Sequence, residues 1–361
     1  MKSLLKNFAL IIAAAVILSH SNCFAVSKTA STRPSTAWMM QQLNDLPAIK
    51  KLSPWTNPYG PGVIITTAHY NIHTTLYDPL MLRQAPSFME SAYQAYNSQL
   101  PFPIDTRTRF TIYLFADRSQ WESFTRSFAG SSAPQYINDN VGAYFLNGAC
   151  VAYNIGRKKT FGILGHEGWH QFNNKHFTYR LPSWLDEGLA TLFEVSEPVK
   201  GKFVFNPSGN YRMLQNLQYT IISYNMIPLE DLIRLNPGQV IGAHYNGQSN
   251  RNEQAAVSAY YSQCYALARF LREEGYGKRI NKFHSMMLGG LNGTWPLEEQ
   301  NIRMASDRNI PMSVGWNSYI SPKLFDLYIQ EDPKQLQREY EAFCKKIVYD
   351  IRISTSTKTL K

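Results

Sequence analysis

Residues 166–170 read His-Glu-Gly-Trp-His. Side chains four apart on an α-helix lie on one face, one turn apart. On a helix this pentapeptide therefore presents two imidazoles, His166 and His170, close enough to share one Zn²⁺ ion. Glu167 follows the first histidine and reaches one side of the metal. There it serves as general base towards a metal-bound water and then as proton shuttle, the metal bringing that water's pKa to about 7. The alternative for the same five residues is an ordinary helix whose histidines bond to their neighbours.

A second segment supports the metal reading. Residues 182–194 read Pro-Ser-Trp-Leu-Asp-Glu-Gly-Leu-Ala-Thr-Leu-Phe-Glu. Glu187 sits amid Trp184, Leu185, Leu189 and Phe193, and a carboxylate in such surroundings is costly to bury unless a cation holds it. The small residues Gly188 and Ala190 let another helix come close. Two histidines, one glutamate and an open fourth position make a hydrolytic zinc site rather than a closed structural one. A surface position for Glu187 is the competing reading.

The pair of segments resembles the gluzincin clan of zinc metallopeptidases. His166-Glu167-x-x-His170 with Trp184-Leu185-Asp186-Glu187-Gly188-Leu189-Ala190 is similar to the Trp-Leu-x-Glu-Gly-Phe-Ala segment of the aminopeptidase branch. It is closer to bacterial secreted gluzincin-like families with a Leu-Pro-x-Trp-Leu-x-Glu-Gly-Leu-Ala segment, here from Leu181. The motif pair covers about 30 residues, with a looser likeness from about His69 to Leu271. The resemblance implies a zincin-like fold, His166, His170 and Glu187 as zinc ligands, Glu167 as base, and a peptide or protein substrate. In several gluzincins a carboxylate four residues after the third ligand orients a histidine. Thr191 stands there, so Glu194 or another group has to take that part. The Gly-x-Met-Glu-Asn signature of the aminopeptidases is absent, which argues against amino-terminal exopeptidase action.

A rival ligand set exists. His166, His170 and His176 match the spacing of the metzincin pattern, with Asn173 where that pattern has its helix-ending glycine; Asn tolerates the left-handed conformation better than most residues. On the gluzincin reading His176 lies in the loop between the two active helices. A tetrahedral intermediate also needs a donor at its oxyanion. Tyr261, in a stretch resembling a downstream helix of the related bacterial families, is the first candidate, ahead of Tyr260 and His244. The competing reading for Tyr261 is a tyrosine packed in a helix core. Val141–Leu146 reads as an edge strand on which an extended peptide lies by strand addition, or as one arm of a plain hairpin. His69, His73 and His284 have no ligand spacing and read as structural. Asn292-Gly293-Thr294 fits a glycosylation acceptor.

The elements that must position these residues are legible in outline. Residues 63–73 are β-rich, with Ile64, Thr66, Ala68, Tyr70 and Ile72 on one face. Residues 86–100 carry helical spacing, 109–115 alternate as a strand, and Asp117 caps a helix to about Phe128. Residues 130–140 read as a loop. Residues 141–154 are β-rich with an Asn147-Gly148 turn. Beyond Thr160 the chain becomes mainly helical: Thr160 caps 161–174, Ser183 caps 184–194, and further helices fall at 211–223, 228–235, 253–274, 278–287 and 333–348, with loops at 201–209 and 237–251. The expected class is α+β: an N-terminal mixed β-sheet with helices, packed against a mainly helical C-terminal half, with the active-site cleft between them.

Length and composition set the frame. The chain has 361 residues, 44% hydrophobic and 17% charged, with a formal net charge of +10. That is globular and large enough for its own core. Residues 1–25 have a basic start (Lys2, Lys6), an apolar run from Phe8 to Leu18 and a small-residue end at Ala25, the pattern of a secretory leader cleaved after Ala25. The run is too short to span a bilayer as a helix, and no later stretch reaches that length. The protein is thus expected to be exported, with no transmembrane span once the leader is gone. The expected organisation is 1–25 leader, 26–61 Pro/Ser/Thr-rich lead-in with one short helix at 36–46, 62–200 catalytic subdomain, 201–350 helical subdomain and 351–361 basic tail. Basic residues form only small clusters such as Arg157-Lys158-Lys159, which disfavours nucleic acid as a partner. Cys150, Cys264 and Cys344 form no CxxC pair and are neither ligands nor framework. Together these readings point to a zinc-dependent peptidase. The alternatives are a cell-envelope binding protein with a structural or vestigial zinc site, and a zinc amidase acting on a non-protein substrate.

Overall fold

The structure is a computed structural model, and it describes residues 34–138, 142–242, 250–308 and 315–357. The leader, His244 and Val141 lie outside the described residues. Among those described, no helix is long and apolar enough to cross a membrane.

The protein is α+β, as expected. Six strands form one mixed sheet: β1 (Lys51–Pro54), β2 (Val63–Thr66), β3 (Tyr70–Thr74), β4 (Phe110–Phe115), β5 (Ala143–Leu146) and β6 (Ala149–Tyr153). Their order is β1-β2-β3-β4-β6-β5, with β3, β4 and β6 parallel and the remaining pairs antiparallel. In this sheet β5 is an edge strand, joined to β6 by the two-residue turn Asn147-Gly148, both at positive φ. That is the turn whose twist matches a hairpin. A small second hairpin pairs β7 (Ser196–Val199) with β8 (Lys202–Phe205).

Helices cover both faces of the sheet. The first half contributes α1 (Thr36–Leu43), α2 (Pro79–Asn97), α3 (Arg118–Phe128), α4 (Ala133–Asn138), α5 (Arg157–His176) and α6 (Ser183–Ala190). The second half is helical: α7 (Tyr211–Ile222), α8 (Leu229–Leu232), α9 (Pro237–Gly242), α10 (Asn250–Gly277), α11 (Ile280–Asn292), α12 (Glu299–Ser306), α13 (Ser321–Ile329) and α14 (Pro333–Thr357). Alternation along β6 explains why all five of its residues are buried. Cys150 and Ala152 join the main core with α2, α5 and the C-terminal helices, while Val151 and Tyr153 join a second cluster with Trp121 and Phe124 of α3 and Tyr136 of α4. A strand covered on both faces reads as a continuous apolar run.

Several boundaries differ from expectation for local reasons. The β-rich run at 63–73 is two strands. β2 buries Val63 and Ile65, β3 buries Tyr70 and Ile72, and the turn between them resets the register that one continuous strand would have kept. The lead-in holds an ordered strand, β1, and its helix ends at Leu43. α2 starts at Pro79, capped by Asp78 through the Met81 N–H, and passes through Pro86 instead of starting there. The stretch 130–138 is helical rather than loop. α5 starts at Arg157; Thr160 is inside it and accepts from the Ile155 N–H. α6 starts at Ser183 after Pro182, and residues 191–193 form a separate 3-10 turn. Residues 202–205 are the strand β8, not loop.

Candidate metal centre

Two helices and the turn after the second build the site. α5 is buried from Thr160 to Asn173, so His166, Glu167 and His170 all face into the molecule. Gly162 lets α5 meet the turn that follows α6: a Cβ there would stand 2.5 Å from the Glu194 carbonyl oxygen. Gly188 does the same for α6 and α10, where a Cβ would stand 2.5 Å from the Cys264 carbonyl oxygen. These close approaches carry Glu187 and Glu194 to the imidazoles.

Ligand-capable atoms of His166, His170 and Glu187 all lie within 4.8 Å of one another. Glu187 Oε2 is 3.5 Å from His166 Nε2 and 3.8 Å from His170 Nε2. All three residues and Glu167 are between 1% and 4% exposed. The outer nitrogens face carboxylates. His166 Nδ1 is 3.1 Å from Glu194 Oε1, within hydrogen-bond distance. His170 Nδ1 is 3.1 Å from Asp186 Oδ1, out of line for a hydrogen bond. Asp186 Oδ1 accepts from Trp169 Nε1 at 2.9 Å and from Asn173 Nδ2 at 3.0 Å. Glu194 Oε2 accepts from Asn210 Nδ2 and from Arg212 Nη2, each at 2.8 Å.

These neighbours set the protonation of the group. Burial alone would push Glu194 up, but the Arg212 charge and the bonds from His166 and Asn210 hold it down at about 2. Burial also opposes the charge on His166, yet Glu187 and Glu194 raise it to about 10. Burial opposes charge on His170 too, and Asp186 and Glu187 overcome it. Glu167 is raised to about 7 by burial, against the pull of the two imidazoles.

A divalent cation fits this donor set. His166 Nε2, His170 Nε2, both oxygens of Glu187 and both of Glu167 are buried without a hydrogen-bond partner among the described residues, as is the Tyr261 hydroxyl. Unpaired buried polar atoms are expensive, about 1–3 kcal/mol each, and so many side by side point to a group they hold in common.

The other expected residues fall as follows. Tyr261 is brought to the group: with His166 and Glu194 it lines a gap of about 20 Å³, room for one water. Tyr260 points elsewhere, its hydroxyl 3.3 Å from the Leu235 carbonyl oxygen. β5 lies beside Glu167, whose carboxylate the Phe145 backbone stabilises. His176 is not brought in. α5 continues unbroken past Asn173, and His176 is its last residue, neither at a metzincin turn nor in a loop; Nε2 is 2.7 Å from Thr106 Oγ1. His69 pairs with Glu90 at 2.7 Å and stacks on Tyr93, and His73 packs on Trp55 and Tyr113. Cys150, Cys264 and Cys344 are free and buried.

Two neighbours escaped the sequence reading. Asp186 adjoins Glu187 in an equally apolar helix, and the cost of burying it was the available signal. Arg212 carried none, being 18 residues beyond Glu194 on another element. Compared with family models and with curated proteins, the chain matches none.

Proposed function

We propose that the protein is an exported zinc-dependent peptidase of the gluzincin kind. The observation that carries this reading is the convergence of His166, His170 and Glu187 within 4.8 Å, with the unpartnered Glu167 carboxylate beside them. His166, His170 and Glu187 would hold the zinc, and Glu194 and Asp186 orient the two imidazoles. Zinc bound there lowers the pKa of water and polarises a carbonyl. A Glu167 oxygen takes the proton of the attacking water and returns it to the leaving amine nitrogen. Water's oxygen thus ends on the carbonyl carbon and its proton on the new amino terminus. The Tyr261 hydroxyl, held free of other partners, donates to the oxyanion. An extended substrate lies along the β5 edge, in a cleft between the sheet and the C-terminal helices. The leader in residues 1–25 supports export.

The test is digestion of an unfolded protein by the zinc-loaded chain, with Glu167→Gln as control. Hydrolysis that falls by at least about 10²-fold in the variant, with zinc retained, supports the reading. Equal rates in both proteins, or none in either, contradict it. Chelation should abolish activity and leave the fold intact; a collapse of Tm with no activity to lose would instead indicate a structural metal.

A further inference from the structure

Asn210 stands immediately before α7 and is 2% exposed. Each of its polar groups has a partner. The backbone N–H donates to the Pro207 carbonyl oxygen and the backbone carbonyl accepts from the Leu214 N–H, both at 3.0 Å. Oδ1 caps α7 by accepting from the Met213 N–H at 3.3 Å. Nδ2 donates twice, to the Thr191 carbonyl oxygen at 3.1 Å and to Glu194 Oε2 at 2.8 Å. Turning the amide over would set Nδ2 against a donor and Oδ1 against two acceptors, so only one orientation satisfies the network.

A helix cap alone does not ask for asparagine, since Asp and Ser serve as well. Among the cap residues only Asn supplies one acceptor and two donors. Here both donors lead away from α7, to the turn after α6 and to the carboxylate beside His166. Arg212 donates to the same Glu194 oxygen, but its side chain is 42% exposed and water competes for it. The Asn210 bond is buried, where it is the stronger constraint. With Oε2 held by both donors, Oε1 is the oxygen left to face His166 Nδ1, at 3.1 Å. The other nitrogen of that ring, Nε2, is buried without a hydrogen-bond partner and stands 3.5 Å from Glu187 Oε2.

We propose that Asn210 is a positioning residue of the metal centre. By holding Glu194 Oε2 it fixes the rotation of that carboxylate and, through Oε1, the direction in which His166 Nε2 points. The start of α7 is thereby tied to the ligand set. The proposal rests on the metal reading of His166, His170 and Glu187.

The test reads metal binding rather than turnover. Asn210→Ser keeps a cap acceptor and Asn210→Gly keeps a residue that helix starts tolerate, but neither offers an amide to Glu194. Both should bind zinc about tenfold more weakly than wild type in competition with a chelator. The visible d–d bands of their Co²⁺ forms, which follow ligand geometry, should shift. Leu217→Val, at a fully buried position about two turns further along α7, should lower Tm and change neither readout. Wild-type affinity with an unchanged Co²⁺ spectrum in the Asn210 variants overturns the proposal. So does an equal loss of affinity in Leu217→Val, which would make the effect one of α7 stability. A wild type that takes up no metal sinks the metal reading and the proposal with it. Weakened zinc binding in the Asn210 variants of a protein that hydrolyses nothing would sink the peptidase reading and leave Asn210 in its role.

Discussion

Asp186 Oδ1 stands 3.1 Å from His170 Nδ1, the ring nitrogen turned away from Glu187. Adjacent carboxylates on α6 thus flank opposite edges of one imidazole, and the same Asp186 oxygen is fixed by Trp169 and Asn173 of α5. The helix that carries Glu187 also carries the carboxylate nearest the other ring nitrogen of His170.

Replacing Asp186 separates these two roles. Asp186→Asn keeps an acceptor for Trp169 and Asn173 but removes the charge beside His170. Zinc affinity should fall about 10–100-fold, read by competition with a chelator of known affinity, while Tm changes little. Asp186→Ala strands both donors as well and should cost about 1–3 kcal/mol for each, read by urea unfolding.

Tyr261→Phe removes a hydroxyl that bonds to nothing else among the described residues. Zinc content and Tm should be those of the wild type. A fall of about 10²–10³ in kcat with KM nearly constant is expected if the hydroxyl acts only on the transition state. A large rise in KM with kcat unchanged would remove it from that role.

The approach of α6 to α10 has no room for a methyl group at residue 188. Gly188→Ala should therefore destabilise by about 1–3 kcal/mol through overpacking. Because Glu187 precedes it, zinc affinity should fall as well. Wild-type affinity in a destabilised Gly188→Ala would show that the ligand geometry tolerates a shift of α6.

His176 gives an acid-side signature independent of the metal. Burial, with Lys175 beside it, depresses its pKa from 6.5 to about 4. Between those values the unfolded chain binds the proton and the folded chain does not, so stability falls as pH drops from about 6.5 towards 4. The ring is half-buried, which keeps the loss modest. In His176→Gln the urea midpoint should vary less across this window, and zinc should stay bound. Loss of zinc from that variant would restore the metzincin ligand set.

Much of this site was legible because its chemistry is local. His166, Glu167 and His170 share one turn of α5, and Glu187 betrayed itself as a carboxylate in an apolar helix. The missing acid at Thr191 pointed to Glu194 or another group, and Glu194 Oε1 lies 3.1 Å from His166 Nδ1. Arg212 was invisible because only folding brings α7 to the turn after α6. The strand β8 was missed because β7 and β8 are largely exposed and show no clear alternation of apolar residues. β1 was hidden in a Pro-rich stretch, since a short edge strand accommodates proline at its end. Asp78 and Pro79 were a legible start for α2, outweighed by the second proline at 86.

Zinc stoichiometry tests the central claim most directly. Purified wild type and Glu167→Gln should each hold one zinc ion per chain, and His166→Ala, His170→Ala and Glu187→Ala should hold almost none while remaining folded. Wild-type protein that takes up no zinc from an excess, or a Glu187→Ala variant that keeps its full complement, would contradict the account.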